Sequence, residues 1–257
     1  SAPSSAPSPV PSPVPSPDPR STLSHTSPQA RTHTLASVAC LRARLQAALW
    51  PNEAQSQSSV ELSRGRMERI SRKLAKLLRH RLRSIDPGVS RRDGFVPLDA
   101  VLALTEFDDV DEAEVREVVR QDAKQRFALS AEDGVVFVRA NQGHSSSGVD
   151  DELLLQRLDE RTASELGGGS GLAVHGTAMK NWPLIVASGG LLRMTRNHVH
   201  MAPYLHASAS RSAGEWPQAA AGLRSSSDVL ITVDVVGAIR AGIPMFLSHN
   251  GVVLTPG

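Results

Sequence analysis

Apolar and basic residues alternate at helical spacing between residues 64 and 83. Four apolar positions fall at i, i+4, i+7 and i+8 and define one stripe: Ile70, Leu74, Leu77 and Leu78. Four cations share another face of the same helix: Arg72, Lys76, Arg79 and Arg83. Since an apolar stripe of this width buries against a core, the pattern predicts an amphipathic helix whose outer surface is cationic.

A compact module of helices and one hairpin is predicted after this helix. Asp93-Gly94 indicates a turn and Phe95-Val96 a short extended piece, and helices are predicted over LDAVLAL and DEAEVREVVRQD. The runs RFALS and VVFVR have the residue types of strands, with a turn at AEDG between them. Three helices followed by a hairpin predict a winged helix-turn-helix, a fold that often binds nucleic acid but does not establish function by itself.

Strands dominate the pattern in the last third of the chain. They are predicted over LAVHGT, LLRMTRNHVHMA and VLITVDVV, and a hairpin over MFLSHNGVVLT has a type I′ turn at Asn250-Gly251. A short helix over NWPLIVAS ends at Gly189-Gly190, and YLHASASRSAGEWPQAAAGLRSSS is a loop. Upstream, DDELLLQRLDERTASE is an acidic connector, helical in part, and GGGSG is a flexible linker. The expected fold class is α+β.

Composition divides the 257 residues unevenly. Residues 1–58 begin with a Pro- and Ser-rich stretch that has too few large apolar groups to fold, so we expect a disordered tail. Its Pro-Ser-Pro repeats are alternatively a polyproline ligand for a partner domain. The run TLASVACLRARLQAALW suits an amphipathic helix or, because no acid lies between Asp18 and Glu53, an organelle transit peptide.

Charge and cysteine usage narrow the class of protein. The net charge is +2, yet nine basic residues between positions 64 and 83 face the single acid Glu68. A charge run is often only a solvated face, but an excess of this size favours an anionic partner such as RNA. Cys40 is the only cysteine, which excludes an intramolecular disulfide and a cysteine-rich zinc site. We find neither a membrane span nor a signal peptide, and expect a soluble monomer in the nucleus or cytoplasm.

Three histidines stand at the ends of predicted strands, beside glycines. His175 lies near the end of LAVHGT, and His198 and His200 share one side of the next strand. They could bind a metal, but no carboxylate or cysteine stands at a supporting position, so no metal site is assigned. A single histidine of this kind is as often a satisfied core residue. Three together favour a polar ligand pocket.

Seven motifs occur in the order found in one enzyme family. They are SRKLAKLLRH, DGFVPLDAVL, KQRFALS, RANQGHS, HGT, the arginine before HVH, and GIPMFLSHNGVVLTPG. Over residues 62–257 the chain resembles the RNA 2′-phosphotransferase family. The resemblance implies a winged-helix RNA-binding lobe at residues 59–147, a connector at 148–171 and an ADP-ribosyltransferase-like NAD-binding lobe at 172–257.

The resemblance implies removal of the internal 2′-phosphate that remains in a ligated tRNA. In the first step the RNA 2′-phosphate attacks the anomeric carbon of the nicotinamide ribose of NAD and expels nicotinamide, leaving ADP-ribosylated RNA. In the second step the ribose 2″-hydroxyl attacks phosphorus. The products are an RNA 2′-hydroxyl and ADP-ribose 1″,2″-cyclic phosphate. The implied partners are therefore NAD and an RNA with an internal 2′-phosphate, without a metal.

Site residues follow from the matched motifs. The family's catalytic Arg-His-Arg-Arg set matches Arg79, His80, Arg139 and Arg196. The NAD-binding residues implied by the resemblance are His175, Gly176, Thr177, His200 and Arg224. RNA contacts are expected from Arg72, Lys76, Arg83, Gln142, His144 and Ser145. Guanidiniums bind phosphate oxygens through paired hydrogen bonds, and a histidine near neutral pH can move a proton.

The chain departs from the family pattern at two places. The sequence also leaves two alternative functions open. The chain reads Ala221-Gly222-Leu223-Arg224 where the family commonly has Ser-Gly-x-Arg, and an Ala- and Ser-rich insertion occupies residues 202–221. One alternative is an ADP-ribosyltransferase that stops after the first step, on a terminal RNA phosphate or a protein. The other is a non-enzymatic RNA-binding protein that uses the basic helix and the wing alone.

Overall fold

A computed structural model describes residues 60–85, 88–145, 148–204, 221–223 and 226–257. The predicted tail at 1–58, most of the insertion at 202–221 and Arg224 lie outside the described residues. The helices, in chain order, are α1 (Arg64–His80), α2 (Leu98–Leu102), α3 (Glu112–Gln121), α4 (Asp151–Leu154), α5 (Glu160–Ser164), α6 (Leu166–Gly169), α7 (Trp182–Ala187) and α8 (Val235–Arg240). The strands are β1 (Val96–Pro97), β2 (Phe127–Glu132), β3 (Val135–Ala140), β4 (Gln156–Arg157), β5 (Leu172–Thr177), β6 (Val199–Pro203), β7 (Val229–Asp234), β8 (Phe246–Leu247) and β9 (Val253–Thr255).

The described part of the chain is a mixed helix and sheet structure, which confirms the α+β class. One antiparallel sheet has the strand order β1-β3-β2 and the other has the order β4-β8-β9-β6-β5-β7. The predicted succession of three helices and a hairpin is found in α1, α2, α3 and β2-β3. Short 3-10 turns at Leu82–Ser84, Thr105–Phe107 and Met179–Asn181 complete the regular structure.

Helix α1 forms as the hydrophobic pattern predicts. Ser63 caps it by accepting a hydrogen bond from the Arg66 amide, and Arg79 and His80 form its last turn, where cations suit the helix dipole. The four positions of the predicted stripe are fully buried: Ile70, Leu74, Leu77 and Leu78. The helix therefore packs firmly up to the residues that end it.

Strand β9 contributes to two apolar cores. Val252 and Leu254 pack into the core built around α1, together with Phe246 of β8. Val253, which points to the opposite side, packs into the second core with Met201 of β6. Since one short strand buries both of its faces, the C-terminal hairpin joins the two halves of the described chain.

The connector at 148–171 differs from the flexible linker that the glycines predicted. Strand β4 lies within it and pairs with β8, with Gln156 opposite Leu247. Gly167 and Gly168 have φ values of +58° and +73°, and Gly167 is buried. A Cβ at Gly167 would lie 1.9 Å from the Tyr204 carbonyl oxygen. The flexible-linker prediction for GGGSG is wrong because this glycine allows a close backbone approach.

Alanine at Gly167 is expected to destabilise the protein far more than alanine at Gly168. Both positions have left-handed φ values, which cost a non-glycine residue roughly 1–2 kcal/mol. Only Gly167 faces a clash, since nothing lies within 4 Å of a Cβ at Gly168. In thermal unfolding, Gly167→Ala should therefore lower the Tm much more than Gly168→Ala does. Equal falls would contradict the close approach.

Two strand predictions and one turn prediction need correction. The strand predicted over LLRMTRNHVHMA begins only at Val199, so His198 precedes it. The strand over VLITVDVV ends at Asp234, whose carboxylate accepts a hydrogen bond from the Gly237 amide and starts α8. The predicted type I′ turn at Asn250-Gly251 is wrong, because such a turn needs a positive φ at both residues and only Gly251 has one. The Gly251 amide donates a hydrogen bond to the Ser248 carbonyl at 2.8 Å.

Candidate active site

The segment RANQGHS, which begins with the last two residues of β3, packs against the end of α1. The Ser145 amide donates to the Arg79 carbonyl at 3.0 Å, and His80 Nδ1 lies 2.9 Å from Ser145 Oγ. Gly143 has a φ of +90°, and a Cβ there would lie 3.3 Å from Arg79 Cδ and Nε. A larger residue would push against the Arg79 side chain, so the glycine is needed at this contact.

Two hydrogen-bond donors of Arg79 have no acceptor among the described residues. Its Nε and Nη2 atoms are buried and lack a hydrogen-bond partner among the described residues. Burial, followed by the charge of Arg196, lowers the pKa of Arg79 to about 10, so it stays a cation at neutral pH. Since buried polar groups normally have partners, the free donors indicate that Arg79 binds an anionic ligand.

Arg139, near the end of β3, is a second buried guanidinium. Its Nη1 donates to the Asp93 carbonyl at 3.3 Å, and its Cζ lies 4.4 Å from the centre of the Phe95 ring. Its Nε has no hydrogen-bond partner among the residues that the structure describes. Burial lowers the pKa of Arg139, while the charge of Asp93 raises it. Arg139 therefore also has spare donor capacity.

His80 lies beside these cations and is exposed to solvent. Burial of its ring atoms, then the charges of Arg79 and Arg196, lower its pKa below the usual 6.5. The imidazole is consequently mostly neutral at pH 7. A neutral ring can accept a proton, and Ser145 at Nδ1 constrains its orientation.

Arg196 joins the same cluster from the other half of the chain. Its charge contributes to the lowered pKa values of Arg79, His80 and His200. The next residue, Asn197, donates its amide to the His144 carbonyl at 2.8 Å, which fastens this segment to RANQGHS. The structure therefore brings Arg79, His80 and Arg196 together.

His144 connects this group to Arg139. It is buried, its Nε2 lacks a hydrogen-bond partner within the described structure, and burial lowers its pKa to about 4. The charges of Arg79 and Arg139 both lower that pKa further. Of the four predicted catalytic residues, Arg79 and Arg139 thus lie near one buried, neutral imidazole.

The predicted RNA contacts divide by exposure. Arg72, Lys76, Arg83 and Ser145 are exposed, whereas Gln142 and His144 are buried. A direct RNA contact by Gln142 or His144 stays a prediction, and their burial suits a supporting position within the segment better. Arg72 and Lys76 lie within α1, in its middle and its second half, and Arg83 lies beyond its end.

Acids distant in sequence neutralise part of the basic helix. Arg66 pairs with Asp109 and Glu114. The hydrogen bond from Lys73, followed by that from Arg66, lowers the pKa of Asp109 to about 2. Arg81 pairs with Glu106. The sequence did not reveal these partners because they lie in the turn and loop before α3 and in α3 itself, far from α1 along the chain. The excess charge on α1 is therefore smaller than its composition indicated.

The predicted NAD-binding histidines hold fixed orientations. His175 Nδ1 lies 2.9 Å from the His200 carbonyl oxygen, and His200 Nδ1 lies 3.0 Å from the His198 carbonyl oxygen. A carbonyl can only accept, so both rings carry a proton on Nδ1, and Nε2 is the ring nitrogen that points away from these carbonyls. Burial first, then Arg196, lowers the pKa of His200 to about 3, which keeps it neutral. Its Nε2 has no hydrogen-bond partner in the described part of the chain.

Gly176 and Thr177 contact other protein groups. A Cβ at Gly176 would lie 2.6 Å from Ser227 Oγ and 2.9 Å from Leu223 Cδ2. Thr177 Oγ1 accepts a hydrogen bond from Asn181 Nδ2 at 3.1 Å. The glycine therefore makes room for the protein's own chain, a reason that HGT alone did not indicate. Whether the backbone here also meets a ligand stays a prediction.

Two sets of polar contacts, one at His198 and one at Lys124, were not anticipated from the sequence. His198 Nε2 lies 3.1 Å from Asp151 Oδ2, close enough for an ion pair although not aligned as a hydrogen bond. Asn250 Nδ2 donates to the Lys124 carbonyl at 2.9 Å, and Lys124 Nζ donates to the Leu223 carbonyl at 3.2 Å. Both join residues far apart in sequence, so no local pattern could reveal them.

Neither a metal site nor a membrane span is found within the described ranges. No group of three or more His, Cys, Asp or Glu side chains there could hold a metal ion. No described helix is long and apolar enough to cross a membrane.

An α+β fold with buried guanidinium donors that lack a partner among the described residues, beside neutral imidazoles, suits a protein that acts on a phosphate-like anion. Comparison with known proteins narrows this class. Residues 65–257 match the model of the family described as RNA 2′-phosphotransferase, Tpt1 / KptA family. The chain belongs to this RNA 2′-phosphotransferase family.

Several curated relatives carry matching names. The chain is 39% identical over 191 residues to "tRNA 2′-phosphotransferase 1" of Danio rerio, which covers 74% of this chain and 78% of the relative. It is 38% identical over 167 residues to the protein of that name from Homo sapiens, covering 64% of this chain and 60% of the relative. "Putative tRNA 2′-phosphotransferase" of Schizosaccharomyces pombe is 32% identical over 187 residues, 73% of this chain and 46% of the relative.

Proposed function

We propose that this protein removes the internal 2′-phosphate from ligated tRNA or a similar RNA and transfers it to NAD. The observation that carries the proposal is the pair of buried guanidiniums, Arg79 and Arg139, whose free donors suit a phosphate. Family membership and the names of the relatives support the same substrate. The products would be an RNA 2′-hydroxyl, nicotinamide and ADP-ribose 1″,2″-cyclic phosphate.

We assign the RNA to a winged-helix lobe at residues 59–147 and NAD to an ADP-ribosyltransferase-like lobe at 172–257. The order of α1, α2, α3 and the β2-β3 hairpin supports the first lobe. The antiparallel sheet that contains β5 and β6 supports the second. The boundary is less sharp than these ranges suggest, because the C-terminal hairpin also packs into the first core.

The residues present fit NAD as a second, consumed substrate. When neutral, His175 and His200 can accept hydrogen bonds from ribose hydroxyls at Nε2. Thr177 offers a hydroxyl nearby in sequence, and Arg224 would add a cation for the pyrophosphate. NAD supplies an electrophilic ribose carbon and nicotinamide as leaving group, so the phosphate can attack without a general base.

Arg79, Arg139 and Arg196 hold the phosphate and stabilise its charge in this mechanism. A buried site raises the value of each contact, because water does not compete for the donors. In the first step a phosphate oxygen forms the bond to the ribose carbon, and the electron pair of the broken bond leaves with nicotinamide. The arginines keep that oxygen oriented towards the carbon.

His80 moves the proton of the second step. The 2″-oxygen forms a bond to phosphorus while the bond from phosphorus to the RNA 2′-oxygen breaks. The proton of the 2″-hydroxyl passes to neutral His80 and then to the leaving 2′-oxygen. A lowered pKa suits this role, since the ring must be free to accept the proton.

One assay tests the proposed function against its alternatives. The protein is incubated with an RNA that carries an internal 2′-phosphate, with and without NAD, and both RNA and nucleotide are analysed. We expect phosphate loss only with NAD, together with the cyclic phosphate product. ADP-ribosylated RNA as the final product would favour a transferase that stops after the first step. RNA binding without any reaction would favour a binding protein.

Lys76→Ala should weaken RNA binding without changing the chemical steps. Its side chain is exposed on α1, and no described acid forms an ion pair with it. Removal of one phosphate contact should reduce the salt slope of log Kobs by about 0.7–0.9. Binding titrations at several salt concentrations measure that slope, with Arg64→Ala, at the far end of α1 and paired with Glu68, as the control. An unchanged slope would place the RNA elsewhere.

A further inference from the structure

Phe95 is a buried aromatic residue whose position the apolar cores do not explain. It is 6% exposed, yet it belongs to neither of the two apolar cores of the described chain. Its ring instead meets two cations: the Cζ of Arg139 lies 4.4 Å from the ring centre and that of Arg91 lies 5.6 Å away. Its burial therefore serves contacts with charged groups.

The strand register explains how Phe95 reaches Arg139. Strands β1 and β3 pair with Val96 opposite Val138 and Pro97 opposite Phe137. One more step along this antiparallel register places Phe95 opposite Arg139, and such cross-strand neighbours contact each other. The motif DGFVP thus meets RANQGHS through the sheet, although about forty residues separate them.

The turn before β1 adds a second contact to the same guanidinium. Gly94 has a φ of +86°, and its amide donates to the Arg91 carbonyl at 3.0 Å. The preceding carbonyl, of Asp93, accepts a hydrogen bond from Arg139 Nη1 at 3.3 Å. Residues 93–95 therefore hold one edge and one face of the guanidinium.

A contact with the face of a guanidinium stabilises the cation without using its N–H donors. Those donors lie in the guanidinium plane, whereas the ring attracts the positive charge from above. Arg139 is 7% exposed and its Nε has no hydrogen-bond partner in the described chain. An acidic partner would stabilise the charge too, but it would occupy the donors that a phosphate needs.

Arg91 shows the contrasting arrangement on the same ring. It pairs with Glu132 at 2.8 Å and with Asp93 at 3.1 Å, and the hydrogen bond to Glu132 is the main cause of its raised pKa. Arg91 is thus satisfied by carboxylates. Arg139, by contrast, is buried and its Nε has no hydrogen-bond partner among the described residues, so this donor stays free for a ligand.

We propose that Phe95 is a positioning residue for Arg139, which it stabilises and orients through the ring face so that the donor edge stays open to the RNA 2′-phosphate. The inference rests on the proposed function. It adds a role for the motif DGFVP and for a residue that does not itself touch the reacting atoms.

Phe95→Leu, Phe95→Tyr and Phe137→Leu test this role. Phe137 is the matched control, because its ring lies 5.4 Å from the Cζ of Arg91 and no cation–π contact between it and Arg139 is found among the described residues. In single-turnover assays we expect Phe95→Leu to slow the second step about tenfold, so that ADP-ribosylated RNA accumulates. Phe95→Tyr keeps the ring and should restore the rate, and Phe137→Leu should match the unmodified protein.

A binding measurement separates this inference from the proposed function. The affinity for an oligonucleotide with an internal 2′-phosphate is compared with that for the same oligonucleotide with a 2′-hydroxyl. The 2′-phosphate should increase the affinity of the unmodified protein for the oligonucleotide. Phe95→Leu should lose most of this increase in affinity, whether or not turnover occurs. If Phe95→Leu behaves as Phe137→Leu does in both measurements, or if both steps slow together with a fall in Tm, the positioning role is wrong. Absence of NAD-dependent turnover in the unmodified protein would instead reject the proposed function.

Discussion

Replacing Arg139 with alanine should slow the second chemical step by about 100-fold or more and cause ADP-ribosylated RNA to accumulate. The guanidinium is buried and has a free Nε donor, so its removal takes charge stabilisation from a site that excludes water. Nothing nearby can replace it, since Arg91 is already paired with Glu132 and Asp93. Rapid-quench analysis of the RNA after one turnover measures the effect.

Arg139→Lys distinguishes the geometry of the guanidinium from its charge. Lysine keeps the positive charge but lacks the planar fork that forms paired hydrogen bonds and stacks on an aromatic ring. We therefore expect Arg139→Lys to recover only a small part of the lost rate. Arg64→Ala, which removes an exposed cation paired with Glu68, should leave the rate unchanged. Full recovery by lysine would mean that charge alone matters at this position.

Local patterns predicted the elements that carry the site. The basic helix, the β2-β3 hairpin and the strand over LAVHGT were predictable because each shows the period of its own secondary structure. Helix α8 was missed because VLITVDVV continues as a strand pattern through the residue where Asp234 caps a helix. The GGGSG prediction failed because the position of Tyr204 against Gly167 depends on tertiary packing.

Some residues of the site could be predicted from the sequence and others could not. Motif order pointed to Arg79, His80, Arg139 and Arg196. The structure places Arg196 near Arg79 and His80, and it places Arg79 and Arg139 near His144. The burial of Gln142 and His144 could not be predicted, since both occur in a polar run that resembles a surface loop. The contact of Phe95 with Arg139 was equally hidden, because it depends on the pairing of strands from two separate motifs.

Replacing His80 with alanine should slow the second step by about 100- to 10,000-fold, the range typical of a lost proton-transfer group. The first step needs no proton acceptor, because the attacking group is already an anion. ADP-ribosylated RNA should therefore form at close to the normal rate and persist. Added imidazole should restore part of the second step, since it can accept a proton in the space that the side chain leaves.

The pH dependence of the second step identifies the direction of proton transfer. Burial and the charges of Arg79 and Arg196 lower the pKa of His80 below 6.5, so the ring is neutral at pH 7 and becomes protonated only as the pH falls through that lowered value. A proton acceptor works in the neutral form, and the rate should thus be level near neutral pH and fall on the acid side with a midpoint below that of free histidine. Single-turnover rates between about pH 5 and pH 8 measure this profile. In His80→Ala the acid-side fall should disappear, and with added imidazole it should return near the pKa of free imidazole. A rate that instead falls as the pH rises would show that His80 acts in its protonated form, which the two neighbouring arginines oppose.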